Sequence, residues 1–194
     1  MQLSPCAVLI TGVQAAGKST VGRLLASRFE RGAFIEGDDL WQMVVGGRED
    51  MVGPPTAEAV RQLHLRYRHG AMLATSFVGA GFVAVHVDNI YGTDVGDYFG
   101  LIDGPLRLVV LRPNPESVER RERARAESAY AGWTDAGTQL IDAIRLFDGW
   151  LAETPRVGLW LDTSEMTADE TVDTIIERWD EALVDPVNRG QPAE

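Results

Sequence analysis

Apolar residues follow two patterns, and these two patterns alternate along the chain. Five short runs are apolar and rich in β-branched residues, which predicts buried strands: residues 6–11, 33–36, 82–88, 106–111 and 157–162. Between these runs, apolar side chains recur every three or four positions, and this spacing predicts helices. Strands that alternate with helices predict an α/β fold built on a central parallel sheet.

Several of the predicted helices have recognisable starts. Thr56 and Asn114 are favoured N-cap residues, and Pro115 suits the first helical position. Thr167 and Glu170 have the spacing of a capping box. Further helices are predicted in residues 19–29, from 40 onward and around 140–147. Loops are predicted at residues 46–55, 89–104 and 130–133. The loop at 89–104 is expected to contain one helical turn.

A glycine-rich motif joins the first strand to the first helix. Residues 12–19 (GVQAAGKS) match the P-loop pattern G-x-x-x-x-G-K-[ST] at every fixed position. Such a loop turns backbone N–H groups toward an anion, and the helix N-terminus adds about half a positive charge. Lys18 is placed to reach the β- and γ-phosphates, and the Ser19 hydroxyl can ligate Mg²⁺. The predicted nucleotide-binding residues are Gly12, Gln14, Ala15, Ala16, Gly17, Lys18, Ser19 and Thr20. The alternative, a chance glycine turn before a helix, has to explain four fixed positions and both flanks.

Composition sets limits on the class of protein. The chain has 194 residues, of which 45% are hydrophobic and 24% charged, as in ordinary globular domains. We predict one domain over residues 1–185 and a loose tail over 186–194. The formal net charge of −11 argues against nucleic acid as the main substrate and against anionic membranes. The single cysteine, the lack of a long apolar run and the lack of a signal peptide predict a cytoplasmic protein.

Acidic residues follow the predicted strands at positions where chemistry is expected. Asp38, after the second strand, is our candidate for the base that takes a proton from an acceptor hydroxyl. The alternative is that Asp38 or Asp39 only caps the next helix, with Asp39 the better candidate for the cap. Asp88 ends the third strand and is a candidate Mg²⁺ ligand, either directly or through water. Its alternative is an aspartate in an ordinary turn after a strand.

The P-loop followed by Gly37, Asp38, Asp39 and Leu40 resembles the small-molecule kinase branch of P-loop proteins. Gluconate kinases and adenylylsulfate kinases carry Gly-Asp here, and chloramphenicol phosphotransferases carry Asp-Ser-Leu. The resemblance covers roughly residues 6–184 and implies a P-loop NTPase three-layer sandwich with a helical lid. It also implies that Asp38 is the base. Asn89 departs from the phosphotransferase pattern, which usually has an acid there.

An arginine-rich helix is predicted to form part of the lid, at about residues 116–135. Glu116 with Arg120, and Glu119 with Arg123, have the spacing of solvated i,i+4 ion pairs. Arg121 and Arg125 are like charges at the same spacing, which an anion between them would stabilise. They also match the lid arginines of gluconate-type kinases in the resemblance above. The alternative for Arg125 is an ion pair with Glu122.

The acceptor side of the site is less well defined by the sequence. Trp41 and Tyr91 follow the site acids and are candidate walls for the acceptor, although core packing explains them equally well. With them we group Asp38, Asp39 and Asn89. The acidic cluster of Glu36, Asp38 and Asp39, with Glu49 and Asp50 nearby, favours a neutral or cationic acceptor. His86 is predicted to be a core residue.

Taken together, the residues predict a kinase that uses ATP and Mg²⁺ to phosphorylate a hydroxyl of a small molecule, either an antibiotic or a metabolite. Two alternatives stay open. One is a nucleoside or nucleotide kinase. The other is an ATP-binding switch that phosphorylates nothing, against which the base candidate and the lid arginines argue.

Overall fold

The fold is built on a single parallel sheet. The computed structural model describes residues 4–134 and 137–185. The strands are β1 (Cys6–Thr11), β2 (Gly32–Glu36), β3 (Val83–Val87), β4 (Leu106–Leu111) and β5 (Leu159–Leu161). Their order across the sheet is β2-β3-β1-β4-β5, and every neighbouring pair is parallel. The predicted α/β architecture with a parallel central sheet is therefore confirmed.

Burial along the strands agrees with their positions in the sheet. Every residue of β1 and β3 is buried, as expected for inner strands covered on both faces. In β2, at one edge, buried and partly buried residues alternate. His86 lies in β3 and is fully buried, with its Nδ1 2.8 Å from the Tyr98 hydroxyl. Burial lowers the pKa of His86 to about 4. The prediction that His86 is a core residue is confirmed.

Helices cover the sheet and give a three-layer sandwich. They are α1 (Lys18–Ser27), α2 (Gly37–Gln42), α3 (Ala57–Gly79), α4 (Asp94–Phe99), α5 (Pro115–Arg123), α6 (Ala131–Thr134), α7 (Leu140–Ala152) and α8 (Ala168–Glu177). Helix α1 packs on α8 and on the sheet, α3 packs on β3, and α5 packs on α7. Thr56 and Asn114 cap their helices, and Thr167 with Glu170 forms the predicted capping box.

Three local predictions need correction. The loop predicted at residues 130–133 contains the short helix α6. Helix α2 begins at Gly37 and its N-cap is Glu36, so the prediction that Asp39 caps it is wrong. The sheet strand leads directly into this helix, which places both aspartates inside its first turn. Arg120 does not pair with Glu116 but donates to the Ser117 Oγ and lies 3.9 Å from Glu165.

The carboxyl ends of the strands bring the predicted site residues to one edge of the sheet. The P-loop follows β1, Asp38 follows β2 and Asp88 follows β3. Among the described residues, no helix combines the length and the apolar character that a membrane crossing requires. The predicted tail at residues 186–194, and the end of the predicted lid at residue 135, lie outside the described residues.

Candidate active site

The loop between β1 and α1 has a backbone shaped for an anion. Gly12, Ala15 and Gly17 have positive φ angles of 150°, 59° and 99°. At Gly12 a Cβ atom would lie 2.4 Å from the Leu111 carbonyl oxygen, so only glycine fits. Residues with positive φ between right-handed ones form the concave nests that bind anions. Gly17 is the N-cap of α1 and has no side chain to satisfy the first N–H groups of the helix.

Lys18 folds back over this loop. Its Nζ donates to the carbonyl oxygens of Gly12 at 3.0 Å and Val13 at 2.9 Å. Burial lowers the pKa of Lys18 from its ordinary value to about 8, although the charges of Asp38, Asp88 and Glu36 act in the opposite direction. The amine thus lies in an enclosed place where its charge is only partly compensated. A bound phosphate would complete the compensation.

Ser19 is paired with an acid that the sequence did not single out as a metal residue. Burial raises the pKa of the Glu36 carboxyl, and the interaction with the Ser19 hydroxyl, the smaller effect, lowers it. Glu36 ends β2, two residues before Asp38, and lines the same cavity as Ser19. Its position at the carboxyl end of a strand is the sequence feature that could have identified it as a site residue. Hydroxyl and carboxylate oxygens are ligands that suit Mg²⁺.

Asp38 and Asp39 differ in what they face. Both side chains are exposed on the first turn of α2, and neither makes a capping hydrogen bond. Asp38 lines a cavity of about 380 Å³ above the P-loop, together with Lys18, Ser19 and Asp88. Asp39 lines neither this cavity nor the second one described below. The structure thus places Asp38, but not Asp39, on the cavity above the P-loop.

Asp88 is held in a buried ion pair. Its side chain is 1% exposed, and its Oδ1 accepts from Arg66 Nη2 at 2.6 Å and from the Asn89 backbone N–H at 2.7 Å. Its Oδ2 has no hydrogen-bond partner, and a Cβ on Gly37 would lie 2.3 Å from it. Since both oxygens are enclosed, the carboxylate is better placed to act through water or through its charge than as a direct metal ligand. Among the described residues, no group of three or more acids, histidines or cysteines is arranged to hold a metal ion.

Arg121 connects two sides of the cavity above the P-loop. Its guanidinium donates to the Ala16 carbonyl at 3.0 Å and to the Thr163 carbonyl at 2.5 Å. Burial lowers the pKa of Arg121, and the neighbouring Arg120 lowers it further. Arg125 also lines this cavity, but its side chain is about half exposed. Helix α5 ends at Arg123, so the like-charge argument from helical spacing does not apply to Arg125.

A buried acid fixes the segment that follows α5. Glu122 is 3% exposed and accepts hydrogen bonds from Ser128 Oγ at 2.8 Å and the Ala129 N–H at 2.6 Å. Arg125 lies 3.9 Å from the same carboxylate, as the alternative interpretation of its charge predicted. Tyr130, fully buried, donates its hydroxyl to the Gln14 carbonyl of the P-loop at 3.1 Å. The segment is thus tied to the nucleotide loop.

A second cavity, of about 550 Å³, lies beside the first and shares Gln14 and Asn89 with it. The structure places Trp41, Tyr91 and Asn89 on its walls, as the acceptor prediction requires. Trp133 of α6, inside the predicted lid, also lines it, as do Phe147 and Trp150 of α7, a helix that the sequence did not assign to the site. A volume of this size is in the range of small-molecule sites.

Known proteins resemble this chain in structure rather than in sequence. No known protein-family profile matches the sequence, and a search of curated proteins gives no match. Among solved structures, the APS kinase of Mycobacterium tuberculosis in complex with AMPPNP and APS has a TM-score of 0.65 at 17% identity, covering 91% of this chain and 98% of that one. The chain has the fold of the P-loop small-molecule kinases.

Two further structures support this conclusion. A sugar kinase from a Janibacter species has a TM-score of 0.61 at 17% identity, over 95% of this chain and 98% of that one. A gluconokinase from Sinorhizobium meliloti has a TM-score of 0.57 at 19% identity, over 93% of this chain and 90% of that one. The resemblance to gluconate and adenylylsulfate kinases is thus confirmed for the fold. These identities are too low to transfer a substrate.

Proposed function

We propose that the chain is a Mg²⁺-dependent kinase that transfers the γ-phosphoryl group of ATP to a hydroxyl group of a small molecule. The observation that carries the proposal is the pair of adjacent cavities. One contains the P-loop, Lys18 and Asp38, and the other is an aromatic-walled space suited to an acceptor. Gln14 and Asn89 mark the boundary between them, where a phosphoryl group would pass.

In this mechanism the P-loop amides and Lys18 bind the β- and γ-phosphates of ATP. Asp38 accepts the proton of the acceptor hydroxyl as its oxygen forms a bond to the γ-phosphorus. The bond from the γ-phosphorus to the bridging oxygen breaks, and ADP leaves. Arg121 and Arg125 stabilise the negative charge on the transferring group.

Ser19 and Glu36 are the residues that would hold Mg²⁺, because they present a hydroxyl and a carboxylate oxygen to the same cavity. The bound ion would supply charge neutralisation on the phosphates. We assign Asp88 an indirect part, through water or its charge, since Arg66 and Gly37 enclose its carboxylate.

The test is a screen for ADP release that depends on an added acceptor. The panel should contain antibiotics, sugars and other metabolites, with nucleosides, nucleotides and a short RNA bearing a free hydroxyl end as competing classes. Mass spectrometry of the product identifies the phosphorylated compound, and a Lys18→Ala variant controls for contaminating kinases. ATP binding without any acceptor-dependent release would favour the switch. Transfer to the nucleoside or RNA members alone would favour those substrates instead.

Nucleotide affinity is expected to fall as the pH rises above about 8. A phosphate beside Lys18 favours the charged amine, so its pKa in the complex lies above the value of about 8 in the free protein. Above that pH, binding requires uptake of a proton, and the affinity for ATP should fall by up to about tenfold per pH unit. Calorimetric titration with a non-hydrolysable ATP analogue, between about pH 7 and about pH 9.5, measures this. A Lys18→Arg variant keeps its charge and should lose the dependence, whereas a flat wild-type profile would contradict the assignment.

Arg121→Ala and Arg125→Ala should both lower kcat, by about tenfold or more, but with different effects on stability. Arg121 bonds to two backbone carbonyls in separate segments, so its loss should destabilise the fold by about 1 kcal/mol. Arg125 is half exposed and lies 3.9 Å from Glu122, so its loss should leave the melting temperature nearly unchanged. Steady-state kinetics with thermal melts on both variants measure this. Full kcat in both would remove the two arginines from the mechanism.

A further inference from the structure

The second cavity is lined by several aromatic side chains. Six aromatic side chains from α2, α3, α6, α7 and the segment after β3 line it: Trp41, Tyr67, Tyr91, Trp133, Phe147 and Trp150. Its volume of about 550 Å³ is larger than the volume that a simple sugar acid would occupy. The cavity therefore suits an acceptor that contains at least one ring or a comparable apolar body.

The aromatic side chains from α6 and α7 pack against one another edge to face. Ring centroids of Trp133 and Phe147 are 5.0 Å apart at 87°, and those of Trp133 and Trp150 are 5.7 Å apart at 73°. Edge-to-face packing of this kind is favourable for aromatic pairs, because the positive edge of one ring meets the negative face of the other. Trp133 and Trp150 are only partly buried, so parts of their rings remain available to a ligand.

The charges on the cavity walls are predominantly negative. Asp94 and Glu153 line it, and Arg66 is the only lysine or arginine among its lining residues. Arg66 donates to Asp88 at 2.6 Å, so its charge is already offset. His64 lies 3.6 Å from Asp94, and burial raises the pKa of that acid. A cation in the cavity would compensate for the desolvation of Asp94. An anion would face two acids, and the one arginine that lines the cavity is already paired with Asp88.

We infer that the acceptor is an amino alcohol with an apolar ring, whose ring packs on the aromatic wall and whose protonated amine lies near Asp94 and Glu153. Aromatic faces and carboxylates both attract ammonium groups, so the two features act in the same direction. The inference rests on the proposed function, since it names the class of its acceptor. It also separates this chain from the gluconokinase and the APS kinase above, which are named for anionic substrates.

A matched series of small alcohols tests the inference by binding alone. Phenylethanolamine, phenylethanediol and mandelate share a benzylic hydroxyl and a ring, and are cationic, neutral and anionic at neutral pH. Calorimetry or ligand-observed NMR on the wild-type protein without nucleotide should give affinities in that order. We expect the amine to bind about five- to tenfold more tightly than the diol. Ethanolamine, which lacks the ring, should not bind measurably.

Charge-removing variants identify the residues responsible. Asp94→Asn and Glu153→Gln should each reduce the affinity for phenylethanolamine toward that of the diol, and leave the diol unchanged. Asp97→Asn is the matched control, because Asp97 is an exposed acid on the same helix as Asp94 that does not line the cavity. The inference is overturned if mandelate binds best, if the three compounds bind equally or not at all, or if both site variants behave like the control.

The two proposals fail in different ways. If the amine binds as expected but no alcohol of any charge is phosphorylated in the screen, the assignment of the cavity stands and the proposed transfer fails. If an anionic compound is phosphorylated efficiently, the transfer stands and the amino-alcohol inference fails.

Discussion

Asp38→Asn is expected to lower kcat by about 10²- to 10⁴-fold, the usual contribution of a positioned general base. The amide has the size of the carboxylate but cannot take up the hydroxyl proton. Asp38 is exposed and makes no capping bond, so nucleotide affinity and melting temperature should stay close to wild type. Single-turnover transfer to an identified acceptor, together with calorimetry of nucleotide binding, measures the two effects separately.

Asp39→Asn is the control for this variant. It changes the next residue of the same helical turn, is equally exposed and lines neither cavity, so it should retain most of the activity. A second control addresses Lys18, whose pKa Asp38 helps to raise. Activity lost through deprotonation of Lys18 would return at lower pH, whereas activity lost with the base would not. Loss of transfer in Asp39→Asn with retention in Asp38→Asn would reverse the two assignments.

Lys18→Ala should reduce transfer by about 10²-fold or more, because a preorganised positive charge on the phosphates is lost. The fold should survive the change. Since the pKa of Lys18 is lowered to about 8, the folded state disfavours its charged form. That cost is fully present below pH 8 and declines as the pH rises toward the ordinary value of 10.5. Loss of the bonds from Lys18 to the Gly12 and Val13 carbonyls offsets this relief, so the melting temperature at neutral pH should stay close to wild type. Turnover at the wild-type rate would exclude the P-loop from the reaction.

Lys18 also permits a chemical check that requires no mutation. It is the only lysine in the 194-residue sequence. An amine-reactive acyl-phosphate analogue of ATP should therefore label Lys18 and, apart from the N-terminal amine, nothing else. Protection by ATP, read by peptide mass spectrometry, reports nucleotide contact with Lys18 independently of any transfer. Labelling that ATP does not reduce would show that the amine lies away from the phosphates.

The nucleotide half of the site could be predicted because its signals are local. The P-loop residues are consecutive, and their flanking strand and helix follow from short-range patterns. Asp88 was proposed as a site residue because it follows an apolar run. Its ion-pair partner Arg66, which lies 22 residues earlier on α3, was not predicted. Nothing in the pattern of α3 distinguishes that arginine from its exposed neighbours Arg61 and Arg68. Pairings between elements depend on tertiary packing, which local spacing does not encode.

The candidate acceptor half was predicted only in part, for a related reason. Trp41, Tyr91 and Asn89 were proposed because they follow the strand-end acids. The apolar spacing around residues 140–147 predicted a helix but no site residue, and Phe147 in that helix is buried. A ring that completes the core and a ring that walls a cavity give the same apolar periodicity, since both are removed from water. Only the assembled fold shows that Phe147 belongs to both.

Tyr130 lies between the two halves, and its position has a thermodynamic consequence. Its hydroxyl bonds to the P-loop carbonyl of Gln14, and its ring packs edge-on against Phe147 at 5.4 Å, on the wall of the acceptor cavity. A nucleotide that orders the loop and an acceptor that orders the wall would thus restrain the same side chain. The entropy lost to the first ligand is then not lost again to the second. We expect positive synergy between donor and acceptor, and reciprocity requires each to tighten the other by the same factor.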